Sequence, residues 1–150
     1  MANKFFPVSI DLNDKNILVI GAGKISLRKI ETLLKYNCNI TVITKEVLEE
    51  KFFDLEKDDK IKILKYQEFE EKFLENIFLV IAATDNEVLN KNISQLCMSK
   101  NILVNNITSK DDMNVRFASI YEKDDIQIAI SANGNPKKAV EIKHKIKDIF

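Results

Sequence analysis

Two glycines separated by one residue stand where an apolar run gives way to a helical pattern. Gly21 and Gly23 follow the apolar residues 17–20, and glycine at such positions permits a tight turn and a close approach of the backbone to a ligand. The first backbone N–H groups of the helix, at Lys24 and Ile25, would meet that ligand, because a helix N-terminus favours a pyrophosphate. The spacing predicts a dinucleotide-binding turn, and an ordinary strand-to-helix connection is the alternative.

A second group of residues able to bind a dinucleotide stands at the end of the next predicted strand. Thr44 or Glu46 could bind a ribose hydroxyl and Lys45 could accept a 2′-phosphate, so these residues leave NAD and NADP open. The alternative is that all three begin the following helix. In the glycine turn itself, Ser26 occupies the third position of the G-x-G-x-x-G/A pattern, where it is small enough for close helix packing but incomplete as a match.

Polar residues also follow the longest apolar run, residues 77–83. Thr84 and Asp85 come directly after Ala83, at the carboxyl end of a central strand, where open α/β sheets bind ligands. Asp85 could instead cap the next helix, and the two roles are compatible. A similar polar loop, residues 105–112, follows the short apolar run at residues 102–104.

The elements that must position these residues alternate along the first two thirds of the chain. Strands are predicted at residues 17–20, 40–43, 60–65, 77–83 and 102–104, and helices at residues 25–34, 45–57 and 87–100. Phe69 and Phe73 lie on a short acidic helix and are expected in the core. Residues 5–12 include Pro7 and suit an edge strand or a packed arm.

The pattern changes after residue 112. Residues 115–121 and 126–131 are predicted strands whose connection is too short for a helix and suits an antiparallel hairpin. Pro136 then opens a terminal helix. The apolar stripe of that helix, which invites a partner surface, consists of Ala139, Ile142, Ile146, Ile149 and Phe150. The predicted fold is α/β, with a Rossmann-type parallel sheet covered by helices on both faces and followed by a small hairpin and a terminal helix.

Composition limits the classes of function. The 150 residues carry 23 basic and 23 acidic side chains, so the zero formal charge does not indicate a nucleic-acid or membrane surface. No apolar run is long enough to span a bilayer and no signal-peptide pattern is present, so we expect a cytoplasmic protein. Cys38 and Cys97 are isolated and are expected as buried hydrophobic residues, and the single histidine, His144, gives little support for a metal site.

The order of these motifs resembles that of the precorrin-2 dehydrogenase family, which includes the N-terminal part of bacterial siroheme synthases. The resemblance covers nearly the whole chain, and the order of its elements is more specific than any one of them. Those elements are Phe6-Pro7, Gly21-Ala22-Gly23-Lys24 with Arg28-Lys29, Ala82-Ala83-Thr84-Asp85 with Asn90, Leu103-Val104-Asn105, Phe117-Ala118-Ser119-Ile120, and Ile128-Ala129-Ile130-Ser131 with Gly134 and Pro136.

The resemblance implies an NAD-dependent oxidation of precorrin-2 to sirohydrochlorin, in siroheme or cobalamin synthesis, by a homodimer. It implies an NAD-binding Rossmann domain over residues 1–112 and a dimerisation and substrate-site segment over residues 113–150. The expected cofactor contacts are Gly21, Gly23, Lys24, Ile25, Thr44, Lys45, Ala83, Thr84 and Asp85, and the expected substrate contacts are Asn105, Ser131 and Gly134.

One departure from the family pattern affects the expected catalytic residue. The family's aspartate position falls on Thr108, which cannot act as a carboxylate, although Asp111 and Asp112 could replace it through a changed loop path. Hydride transfer depends chiefly on the placement of substrate and cofactor, so dehydrogenation remains the expected reaction. A bifunctional dehydrogenase and ferrochelatase, or a dinucleotide-binding relative without catalysis, are the alternatives.

Overall fold

In the computed structural model, which describes residues 3–150, a parallel sheet carries the glycine turn. Its five strands are β1 (Asn16–Ala22), β2 (Asn39–Val47), β3 (Lys62–Lys65), β4 (Leu79–Ala82) and β5 (Leu103–Asn106). They run in the order β3-β2-β1-β4-β5, and every neighbouring pair is parallel. The central strand β1 is buried over residues 17–20, as its continuous apolar run predicts for a strand covered on both faces.

Three helices accompany this sheet, namely α1 (Lys24–Leu33), α2 (Lys51–Lys57) and α3 (Glu87–Ser99). The crossovers run outward from β1 in both directions, so right-handed connections place α1 and α2 on one face and α3 on the other. The predicted α/β fold is therefore confirmed. Phe69 and Phe73 pack against the buried core, as expected, and no helix among residues 3–150 is long and apolar enough to cross a membrane.

Both cysteines are free thiols, but only Cys97 is buried as the sequence predicts. Cys97 lies fully buried in the core cluster, and this burial raises the pKa of its thiol to about 11. Burial also raises the pKa of Cys38, which is partly exposed. Because the thiolate is the reactive form, neither residue has the character of a nucleophile.

A second compact unit begins at Arg116, after a first one that extends to Val115. It contains the antiparallel strands β6 (Ser119–Lys123) and β7 (Ile126–Ile130), followed by α4 (Pro136–Ile149). Pairing of Lys123 with Ile126 leaves a two-residue turn. The predicted hairpin and terminal helix are confirmed, while the assignment of NAD binding to residues 1–112 and of dimerisation to residues 113–150 stays a prediction.

The predicted helix over residues 45–57 was wrong in its first part. β2 continues to Val47, which pairs with Ala22, and the Leu48 N–H donates to the Ala22 carbonyl at 3.0 Å. These backbone bonds keep the charged end of β2 in the sheet, so α2 begins only at Lys51.

Two further boundaries differ from the prediction. Residues 5–12 form no strand, and Phe6 is 85% exposed, so this segment is not the predicted edge strand. The strand predicted from residue 115 begins at Ser119 instead. The N–H groups of Asn114 and Val115 both donate to the Val104 carbonyl, at 3.2 and 3.1 Å, which keeps this segment beside β5.

Lys29 on α1 is a partly buried amine that makes stability depend on pH. Burial, helped by the nearby charge of Arg28, lowers its pKa from 10.5 to about 8. The unfolded chain therefore binds the proton more tightly, and the free energy of unfolding should rise between about pH 8 and pH 10.5. We expect Lys29→Met to be more stable than the wild type at neutral pH by about 1 to 3 kcal/mol.

Thermal unfolding of both proteins across this pH range measures the effect. The difference in melting temperature should shrink as the pH approaches 10.5, the ordinary lysine value. Lys35→Met, which replaces an exposed lysine just after the same helix, is the control and should show no such trend. A constant difference for Lys29→Met would contradict the assignment.

Candidate functional site

The turn after β1 requires glycine at its first position. Gly21 has a φ of +107°, and a Cβ atom there would lie 2.3 Å from the Ala83 carbonyl oxygen. The turn is thus pressed against the end of β4. Ser26, which is buried, donates a hydrogen bond from Oγ to the Gly21 carbonyl at 2.7 Å, so the small residue lets α1 pack against the turn as predicted.

The second glycine leaves the start of α1 open. Gly23 is the N-cap of α1 with a φ of −104°, and a Cβ there would meet only Leu48 Cδ1, at 3.9 Å. No side chain caps this helix, whereas asparagine side chains cap α3 and α4. The N–H groups of Lys24 and Ile25, both exposed residues, therefore lie at a helix start suited to an anion. This geometry fits the pyrophosphate of a dinucleotide.

The end of β2 adjoins the glycine turn through an irregular pairing. Ile20 pairs with Ile43 and Ala22 with Val47, so residues 44–46 stand opposite a single residue of β1. Thr44 is buried, and its Oγ donates to the Glu46 carbonyl at 2.6 Å and accepts from the Glu46 N–H at 3.2 Å. The Thr44 hydroxyl thus stabilises the β-bulge formed by residues 44–46. The side chains of Lys45 and Glu46 in this bulge are exposed to solvent.

The ends of β4 and β5 are joined by a buried polar network around Asn90. Asn90 Nδ2 donates to the Thr84 carbonyl at 2.9 Å and to Thr108 Oγ1 at 3.2 Å. Asn90 Oδ1 accepts from Thr84 Oγ1 at 2.6 Å, and Thr108 Oγ1 donates to Asn106 Oδ1 at 2.9 Å. Thr84 and Thr108, predicted from separate strands, are therefore brought together.

Asn90 and Asn106 were missed as site residues by the sequence reasoning. The available signal for Asn90 was a polar residue on the buried face of a helix, at helical spacing from Ile93 and Cys97. The capping role considered for Asp85 was wrong. Asn86 is the N-cap of α3 and accepts from the Leu89 N–H at 3.0 Å, while Asp85 is exposed beside it.

A cleft of about 320 Å³ opens beside Thr108 at this edge of the sheet. Its walls are formed by Glu87, Val88, Lys91, Asn106, Thr108, Ser109 and Asp112. Ser109 Oγ accepts from the Asp112 N–H at 2.9 Å, which turns the loop back toward β5. Asp112 Oδ2 is buried without a hydrogen-bond partner among the described residues, whereas Asp111 is exposed. A buried carboxylate oxygen without a donor is costly, which marks Asp112 as a candidate functional group.

The three predicted substrate contacts are divided between the two compact units. Asn105 is buried, and its Nδ2 donates to the Val115 carbonyl at 3.0 Å, so it does not line the cleft. Ser131 and Gly134 belong to the second compact unit, in the loop between β7 and α4, where Gly134 has a φ of +79°.

Several known proteins are similar to this chain in sequence. A family described as "Putative NAD(P)-binding" has a model that matches residues 8–119. The siroheme synthases of Mannheimia succiniciproducens and Buchnera aphidicola are each 38% identical to this chain over 130 residues, which is 87% of this chain and 27% of each relative. The chain thus spans about a quarter of the length of these curated relatives.

A solved structure described as "SirC, precorrin-2 dehydrogenase" is also similar. It matches with a TM-score of 0.84 and 25% sequence identity, over 97% of this chain and 71% of that chain. The similarity extends beyond the region matched by the family and includes the hairpin and terminal helix.

Proposed function

This chain belongs to the NAD(P)-binding family whose model matches residues 8–119, and from that membership we propose that it dehydrogenates precorrin-2 to sirohydrochlorin with NAD. The observation that carries the proposal is the likeness of nearly the whole chain to a structure described as a precorrin-2 dehydrogenase. The siroheme synthase relatives support the same pathway.

The cofactor is a nicotinamide dinucleotide, and we assign NAD rather than NADP from the charges at the end of β2. Carboxylates at this position of a dinucleotide-binding unit bind the 2′-hydroxyl, whereas cationic side chains bind a 2′-phosphate. Glu46 is exposed there, and the Lys45 ammonium is engaged by Glu68 at 2.9 Å. Glu46 is therefore the proposed ribose acceptor, held in place by Thr44.

The remaining cofactor contacts follow from the two strand ends. The N–H groups of Lys24 and Ile25 bind the pyrophosphate, and Gly23 permits its close approach. Ala83, Thr84 and Asp85 contact the nicotinamide half at the end of β4. When bound, the nicotinamide accepts the hydride that leaves the substrate.

Loss of a hydride from precorrin-2 must be accompanied by loss of a proton, and Asp112 is the proposed acceptor. Its carboxyl group shares the cleft with Thr108, and its Oδ2 has no hydrogen-bond partner among the described residues. Thr108 occupies the family's aspartate position but acts by positioning, since Asn90 and Asn106 bond its hydroxyl. Asp111, exposed on the same loop, is assigned no proton transfer.

The second unit is proposed to complete the substrate site and to form a homodimer. Residues 113–150 would supply Ser131 and Gly134 to the tetrapyrrole, while residues 1–112 bind NAD. At the end of α4, the adjacent apolar residues Ile149 and Phe150 are 76% and 53% exposed, and an apolar patch of this kind supports a partner surface. We place the enzyme in the cytoplasm, because Cys38 and Cys97 are free thiols.

Substitution of Asp112 tests this function and the role of the residue together. Wild-type protein given freshly prepared precorrin-2 and NAD should form NADH, and Asp112→Asn should lower kcat by about 100-fold because it removes the proton acceptor. Asp111→Asn, on the same loop, is the control and should stay within about twofold of the wild type.

Two negative results of this experiment would have different consequences. If wild-type protein bound NAD but formed no NADH from precorrin-2, the proposed dehydrogenase activity would be wrong, and a non-catalytic dinucleotide-binding role would replace it. If the wild type were active and Asp112→Asn equally so, only the assignment of Asp112 would be rejected.

A further inference from the structure

An exposed ion pair at the end of β2 takes no part in the proposed transfer of hydride or proton. Lys45 Nζ lies 2.9 Å from Glu68 Oε1, and the two side chains are 72% and 73% exposed. Exposed pairs of this kind add little to folding stability. Ligand binding, rather than folding stability, is therefore the property that this pair is expected to affect.

The pair lies next to the part of the fold that binds a dinucleotide. Val47 pairs with Ala22, and the Leu48 N–H donates to the Ala22 carbonyl at 3.0 Å, so the end of β2 is attached to the glycine turn. Lys45 follows that turn by about 20 residues, the distance at which dinucleotide-binding units distinguish a 2′-hydroxyl from a 2′-phosphate.

Glu68 is held against β2 by the backbone of its own segment. Lys65 of β3 pairs with Thr44, and the Gln67 N–H donates to the Thr44 carbonyl at 3.1 Å. Gln67 Nε2 in turn donates to the Glu68 carbonyl at 2.9 Å. The Glu68 backbone is thus held beside the end of β2, within reach of Lys45.

We propose that Glu68 is a specificity-determining residue that disfavours NADP by occupying the Lys45 ammonium and repelling a 2′-phosphate. This inference rests on the proposed function, since it concerns the same cofactor site. A 2′-phosphate would need Lys45 as its cation and would have to displace a carboxylate of like charge from it. NAD has an uncharged hydroxyl at that position and meets neither obstacle.

Calorimetric titration of the purified chain with NAD and with NADP tests this proposal without any turnover. Glu68→Gln keeps the size of the side chain and removes its charge, and it should shift the ratio of the two dissociation constants toward NADP by about fivefold. The shift should diminish in about 0.5 M salt, because the charges are exposed and screened.

Two variants serve as controls. Lys45→Gln combined with Glu68→Gln should lose the gain in NADP binding, because no cation remains for the phosphate. Glu71→Gln breaks another ion pair of the same length, 2.9 Å to Lys100 at the C-terminal end of α3, and should leave the ratio unchanged.

The outcomes separate the inference from the function on which it rests. An unchanged ratio in Glu68→Gln, or a gain that survives in the double variant, would overturn the role of Glu68 alone. A wild-type preference for NADP would overturn both that role and the assignment of NAD as the cofactor, but not the dehydrogenation itself. Binding of neither dinucleotide by the wild type would overturn the proposed function, and the inference with it.

Discussion

Replacement of Gly21 by alanine should lower the free energy of unfolding by about 4 kcal/mol, a loss large enough to prevent folding of a marginally stable domain. Two features at this position act together. The φ of +107° is strained for any residue with a side chain, and the added Cβ would lie 2.3 Å from the Ala83 carbonyl oxygen. The Ala83 N–H donates to the Ile20 carbonyl at 2.8 Å, which ties the end of β4 to β1. Removing the clash would therefore require both strands to move.

Urea unfolding followed by circular dichroism measures this loss. Gly23→Ala is the matched control, because its Cβ would have no contact closer than 3.9 Å and its backbone lies in the extended region. It should remain within about 1 kcal/mol of the wild type. A Gly21→Ala protein as stable as the wild type would show that the turn is not held against β4 as described.

Although it should fold normally, the Gly23→Ala variant should bind NAD at least about tenfold more weakly, which is a loss of about 1.4 kcal/mol in binding free energy. The methyl group would project at the start of α1, where the pyrophosphate must approach the N–H groups of Lys24 and Ile25. Because the fold tolerates this change, the loss of affinity would be separate from any loss of structure.

Calorimetric titration with NAD, on samples whose unfolding curves match the wild type, provides the measurement. Lys35→Met, at an exposed position beyond the end of α1, should bind NAD as the wild type does. If Gly23→Ala retained full affinity, the glycine turn would be only a connection between strand and helix, the alternative raised by the sequence.

The central part of the fold could be predicted because local pattern and tertiary environment agree there. Strands buried on both faces appear as continuous apolar runs, which is why β1 and β4 were identified. The hairpin was identified from a connection too short for a helix, and α4 from Pro136 at its first turn.

Other features depended on contacts that no local pattern specifies. The charged end of β2 suits a helix by composition, but bonds from Thr44 to Glu46 and the pairing of Val47 with Ala22 keep it extended. Likewise, the role of Asn90 depends on its hydrogen bonds with Thr84 and Thr108, which lie at the ends of two different strands. The candidate site was therefore predicted in its glycine turn and in the two threonines of its polar network, but its asparagines, Asn90 and Asn106, were missed.

The most decisive experiment follows both products of the proposed reaction in one sample. The purified chain is incubated without oxygen with freshly generated precorrin-2 and NAD, and the absorbances of NADH and of sirohydrochlorin are recorded together. We predict that the two products form in equal amounts, because each substrate molecule transfers one hydride. Bound NAD with neither product formed, or sirohydrochlorin formed without NADH, would contradict the assignment of this chain as an NAD-dependent precorrin-2 dehydrogenase.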